Sequence, residues 1–135
     1  MKIEISLGAN KQVTAHYPDD LVLQTDQAIE DGGDGSAPSP FACFLGAIGT
    51  CAGVYVLEFC RARRIPTDGV SLTQQAIFET DELGKRRLAQ VALTVHLPAE
   101  FPEKYRGAVV KAAGLCSVKK ALMHPPEFTL DYQVA

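Results

Sequence analysis

An α+β fold is predicted by three features of this chain. Segments of period-two hydropathy stand near both ends and in the middle, one helical stretch of twenty residues is almost wholly apolar, and a Pro/Gly-punctuated helical region follows the central strands. The 135 residues fit a single domain, residues 1–135, able to bury a core without staples. A hydrophobic fraction of 47% and a charged fraction of 21% are those of an ordinary globular protein.

Ile3, Ile5 and Leu7 alternate with polar neighbours, as in a half-buried strand. Gly8, Asn10 and Lys11 supply a turn, residues 12–16 return as a second strand, and residues 21–23 form a third. The simplest arrangement is a small antiparallel meander. The run Asp31-Gly32-Gly33-Asp34-Gly35 reads as a plain loop. Its aspartates would repel a phosphate, no Gly-Lys-Ser/Thr follows, and it has too few ligands for a calcium loop.

Ser39 is placed to cap a helix with Pro40 in its first turn. Between residues 41 and 60 only Thr50 and Glu58 are clearly polar. Length alone would permit a membrane span, with Arg61, Arg63 and Arg64 as its flank. Gly46, Gly49 and Gly53 lower the hydrophobicity, and amphipathic strands lie on both sides, so a central helix buried on all faces is expected instead. The glycines would let a partner helix approach closely.

After Ile65-Pro66 the period becomes two. Residues 70–79 and 87–97 read as long strands joined by an Asp81-Glu82-Leu83-Gly84 turn. Pro102 begins a second helix that ends near Gly114, and residues 116–123 make a short cationic third. His124-Pro125-Pro126 stops it, and residues 128–134 alternate as a closing strand.

A net charge of −3 excludes nucleic acid as the main partner, since phosphate binding needs concentrated positive charge. The first ten residues lack a basic start followed by an apolar block, so no signal peptide is expected. Four cysteines without a secretory signal then imply free thiols in the cytoplasm. No metal site is expected, because His16, His96 and His124 lie in separate elements and the three cysteines of the long helix point apart. Nor does any motif call for a cofactor. Glu58 is expected to pair with the neighbouring arginines.

Two cysteines carry the chemistry. Cys51 lies midway along the apolar helix, where burial would raise its pKa unless a cation or polar cleft is near. Cys116 opens the short helix, whose amides and positive dipole end favour a thiolate, with Lys119 and Lys120 one turn on. Cys43 and Cys60 are read as structural.

The segments Ser39-Pro40-Phe41-Ala42-Cys43-Phe44-Leu45-Gly46-Ala47-Ile48-Gly49-Thr50-Cys51 and Gly114-Leu115-Cys116-Ser117-Val118-Lys119-Lys120-Ala121-Leu122 together resemble the OsmC/Ohr family of thiol-dependent peroxidases. The order of elements along nearly the whole chain resembles that family as well. The resemblance implies an OsmC-like fold, with antiparallel sheets packed on a long buried central helix, in an intertwined homodimer with sites at the subunit interface. It implies Cys51 as peroxidatic thiolate, Cys116 as resolving thiol, a hydroperoxide as substrate and a dithiol as reductant. The sequence departs from the family pattern at three places. No Arg precedes Arg61, Ala42 stands where the family carries Glu, and Ser117 stands where Pro commonly follows the second cysteine. These departures keep a second expectation open: a non-peroxidase dimer that binds a small apolar or thiol-reactive ligand at the interface.

Overall fold

The computed structural model describes residues 1–135. The chain gathers into two compact units, Met1–Gly46 and Ala47–Ala135, with the long helix running from one into the other.

In the first unit β1 (Glu4–Leu7), β2 (Val13–His16) and β3 (Val22–Thr25) form an antiparallel sheet in that order. This is the predicted meander. The β1–β2 turn closes through the Gly8 amide on the Gln12 carbonyl at 2.8 Å, with Asn10 in the left-handed region at φ 50°.

The acidic loop after β3 is organised by a residue that hydropathy does not single out. Asp26 is fully buried. Its carboxylate accepts the amides of Gln27 at 2.7 Å and Ser36 at 3.0 Å, the Ser36 hydroxyl at 2.6 Å, and the Asp34 amide at 3.3 Å. A Cβ at Gly33 would collide with the Gln27 carbonyl, which is why this loop needs glycine there. The Ser36 hydroxyl and amide lead in holding the Asp26 pKa down to about 2, with the Gln27 and Asp34 amides adding to them against the effect of burial. A depressed carboxyl pKa stabilises the fold in full above the ordinary value, and that stabilisation is lost as pH falls through about 2. Asp26→Asn should therefore lower Tm at pH 7, and the gap to wild type should close as the pH approaches 2. Thermal melts followed by circular dichroism at stepped pH check this. A gap independent of pH would mean that shape, not charge, holds the loop.

Helix α1 (Pro40–Ala62) begins where the sequence places it, with the Ser39 hydroxyl accepting the Ala42 amide at 3.1 Å. It ends at Ala62, and Arg64, two residues on, takes φ 55° before Pro66. By length, and by a mean hydropathy of 1.8 over its most apolar window, α1 could cross a membrane. One stripe of it is buried: Ile48, Ala52, Val56, Phe59 and Cys60. These recur at helical spacing, so they present a single face. The expected burial on every face is not found within one chain, because strands and short helices meet α1 along that stripe only. Val54 is 49% exposed and Leu57 40%.

In the second unit β4 (Ser71–Thr80) pairs antiparallel with β5 (Arg86–His96). The predicted turn closes them. Asp81 accepts the amides of Leu83 at 2.9 Å and Lys85 at 2.8 Å, and Gly84 supplies φ 78°. A register shift beside Ile77 and Phe78 takes the pairing from Gln90 to Leu88, so Ala89 is the extra residue of a bulge. Leu72, Leu93 and Val95 face the buried stripe of α1.

The second predicted helix divides into a 3₁₀ turn, Glu103–Tyr105, and α2 (Arg106–Ala113). Helix α3 (Ser117–Met123) follows, with Cys116 as its cap. Val109, Ala113 and Cys116 complete the core with Phe101 and Ile65. The closing strand expected over residues 128–134 is absent, since no helix or strand follows Met123. Phe128, Leu130, Tyr132 and Val134 are exposed. Alternation sets the two faces of a strand, but a strand also needs a partner backbone, and within this chain none pairs with it.

Candidate functional site

The two candidate cysteines reach one place from different elements. Cys51 is half-buried on α1, one residue before the buried Ala52, and it packs against the core cluster to which Cys116 belongs. Cys116 is almost wholly buried between α2 and α3. Its thiol donates to the Ile48 carbonyl at 3.6 Å and accepts the Lys119 amide at 3.4 Å.

The start of α3 serves Cys51 as well. The thiol pKa of Cys51 is held below its ordinary value, first by the Val118 amide, then by the Cys116 thiol and by the amide and hydroxyl of Ser117, against the opposing effect of burial. The sequence points to the α3 amides as partners for Cys116. The fold directs two of them, from Val118 and Ser117, to Cys51, while Cys116 takes the Lys119 amide as an N-cap side chain does. Cys116 has a single S–H to share between the Ile48 carbonyl and Cys51. Once Cys51 ionises, the thiolate is the stronger acceptor of the two.

The charged groups nearby are engaged elsewhere. The Lys119 ammonium meets the Gly114 carbonyl at 3.4 Å, a cation at the end of α2. Arg63 lies over the Phe59 ring at 3.7 Å and donates to the Phe59 carbonyl at 3.2 Å. Glu58 forms no ion pair with the arginines beside it; the two salt bridges of the chain are Lys2–Glu4 and Arg87–Glu79.

The remaining thiols and imidazoles sit apart. Cys60 is buried, and burial pushes its pKa up against the opposing charge of Arg63. Cys43 is half-buried in the first turns of α1. His16 and His96 hydrogen-bond Ser6 at 2.8 Å and Thr73 at 2.9 Å across their strand pairs.

An apolar cavity of about 260 Å³ borders Cys116, with Ile48, Val91, Leu93, Val110 and Ala113 among its walls. A larger one, of about 620 Å³, is lined by Arg63, Arg64, Phe101, Lys104 and Tyr105 among others and contains neither cysteine. Of the two, the smaller is the one that reaches a candidate thiol, that of Cys116; Cys51 lines neither.

Residues 33–131 match the family model described as OsmC-like protein, and both cysteine segments fall inside that match. The chain belongs to the OsmC-like family. No protein with a curated description matches it. Among solved structures, a candidate osmotic stress induced and detoxification response protein from Psychrobacter arcticus is similar with TM-score 0.75 and 18% identity, over 90% of this chain and 87% of that one. An OsmC-like protein of unknown function from Vibrio cholerae is similar with TM-score 0.69 and 12% identity, over 89% and 91%. An organic hydroperoxide resistance protein from Legionella pneumophila is similar with TM-score 0.62 and 20% identity, over 90% and 89%. At these identities the likeness is one of fold.

The sequence does not single out Val118 or Tyr55 near Cys51, and it marks Ser117 only as a departure from the family pattern. Tyr55 lies one turn after Cys51 on α1, and its hydroxyl meets that of Ser117 at 3.0 Å. The i, i+4 spacing of Cys51 and Tyr55 puts them on one helix face, the one signal that could have linked them.

Proposed function

We propose that this protein reduces organic hydroperoxides, with Cys51 as the attacking thiolate and Cys116 as the resolving thiol. The observation that carries the reading is the convergence of Cys116 and the α3 amides on Cys51, which lowers its pKa. The Cys51 thiolate attacks the O–O bond. One oxygen stays on sulfur as a sulfenic acid, and the alkoxide leaves and takes a proton. Cys116 then condenses with the sulfenic acid, releasing water and forming a disulfide that a dithiol reductant returns to two thiols. The apolar wall beside Cys116 favours an organic peroxide over hydrogen peroxide. Four free thiols fit a reducing compartment such as the cytoplasm. Intact-mass measurement after one equivalent of cumene hydroperoxide tests the reading: wild type should lose the mass of two hydrogen atoms.

The homodimer is part of the same proposal. Two surfaces support it: the open Val54–Leu57 side of α1 and the unpaired alternating residues 128–134. Burial of the first and strand addition by the second are what a second copy would provide. Sedimentation equilibrium should give twice the chain mass at micromolar concentration, and a stable monomer would sink the dimer.

A second reading has its own support. The place of the family's Glu is Ala42, no Arg precedes Arg61, and a cavity of about 260 Å³ suits a small apolar or thiol-reactive ligand. Wild type that stays reduced under excess hydroperoxide would favour this binding role.

A further inference from the structure

Cys51 ionises next to a hydroxyl pair that belongs to this chain's own sequence. Ser117 is the first residue of α3 and is exposed, and its hydroxyl lies 3.0 Å from that of the half-buried Tyr55. Tyr55 and Cys51 share a face of α1, and Ser117, in contact with the Tyr55 hydroxyl, is also one of the hydrogen-bonding groups at the Cys51 thiol. The direction of the hydrogen bonds follows from the acceptors. A thiolate can only accept, so Ser117 must donate its proton to sulfur. That leaves the Ser117 oxygen to accept from Tyr55, whose O–H has no other partner in the fold. Two hydroxyls in series polarise each other, and the second strengthens the first.

We propose that the Ser117 hydroxyl is a catalytic hydrogen-bond donor to the Cys51 thiolate, and that Tyr55 is the positioning residue that holds and polarises it. This inference rests on Cys51 being the reacting thiol. In that role the pair supplies neutral donors where the family's Arg and Glu are missing. A neutral donor at sulfur suits an apolar site, because it stabilises the thiolate without burying a cation beside it.

The test is the pH profile of alkylation at Cys51, resolved by peptide mass so that the other three thiols do not intrude, in the full-length protein. Wild type should reach half its maximal rate below the ordinary thiol pKa of about 8.5. In Ser117→Ala the profile should move by about one pH unit to higher pH, a roughly tenfold slower reaction at pH 7, and merge with wild type in alkali. Tyr55→Phe should move it in the same direction by less, and Ser117→Thr, which keeps a hydroxyl, should restore it. A Ser117→Ala profile that superimposes on wild type would overturn the proposal. So would one slower by the same factor at every pH, or a wild-type profile centred at the ordinary value. Peroxide chemistry is read separately by intact mass. If the profile shifts as expected while no sulfenic acid forms with hydroperoxide, the peroxidase reading falls and the donor pair stands. If sulfenic acid forms but Ser117→Ala leaves the profile in place, only the donor pair falls.

Discussion

Cys51→Ser should abolish hydroperoxide consumption, with a loss on the order of a thousandfold or more, while Cys116→Ser should complete a single turnover and stop. The difference follows from what each sulfur does. Removing Cys51 removes the thiol whose pKa the Val118 and Ser117 amides lower, and a serine hydroxyl there cannot ionise near neutral pH. Removing Cys116 leaves that thiolate in place but takes away its condensation partner. The product should then be trapped as a sulfenic acid, seen as the gain of one oxygen in intact mass. The same measurement orders the two steps. If Cys51→Ser still consumed peroxide at the wild-type rate, the assignment of the attacking thiol would be wrong. If Cys116→Ser cycled with a dithiol as fast as wild type, Cys116 would not be the resolving residue.

Phe59→Ala should cost about 3–5 kcal/mol of stability. Phe59 is 9% exposed and lies near the centre of the second unit's core. Its ring meets that of Tyr105 at an interplanar angle of 80°, with centroids 6.0 Å apart, and the Arg63 guanidinium lies over the Phe59 ring at 3.7 Å. Truncation removes the buried ring, the aromatic contact and the seat of the guanidinium together, and it leaves a cavity between α1 and the 3₁₀ turn before α2. A domain of this size holds about 5–15 kcal/mol in all, so the variant should unfold at a much lower urea concentration. A loss below about 1 kcal/mol would show that this face closes without the ring.

Legibility of the fold depended on how local each signal is. The meander, the Ser39 cap, the Asp81–Gly84 turn and the separate short helices were legible because each depends on residues close together in sequence. Residues 128–134 were misread as a strand for the opposite reason. Their alternation is a real local pattern, but pairing depends on an edge that the chain does not offer them. The all-round burial expected of α1 has the same origin, because hydropathy counts apolar residues and not the surfaces available to cover them.

By itself the sequence determined the family resemblance, the α+β order and the two candidate cysteines, since composition, periodicity and motif are written along the chain. Only the tertiary structure decided which groups those cysteines meet. The α3 amides looked like partners of Cys116 alone, yet Val118 and Ser117 serve Cys51, and Tyr55 joins them from a turn away on α1. Asp26 is a second case: an unremarkable aspartate in sequence, it becomes the buried anchor of a loop whose donors come from up to ten residues further on. The physical reason is common to both. A thiolate or carboxylate takes its pKa from the hydrogen-bond donors within a few ångströms of it, and the fold, not the neighbouring letters of the chain, brings those donors there.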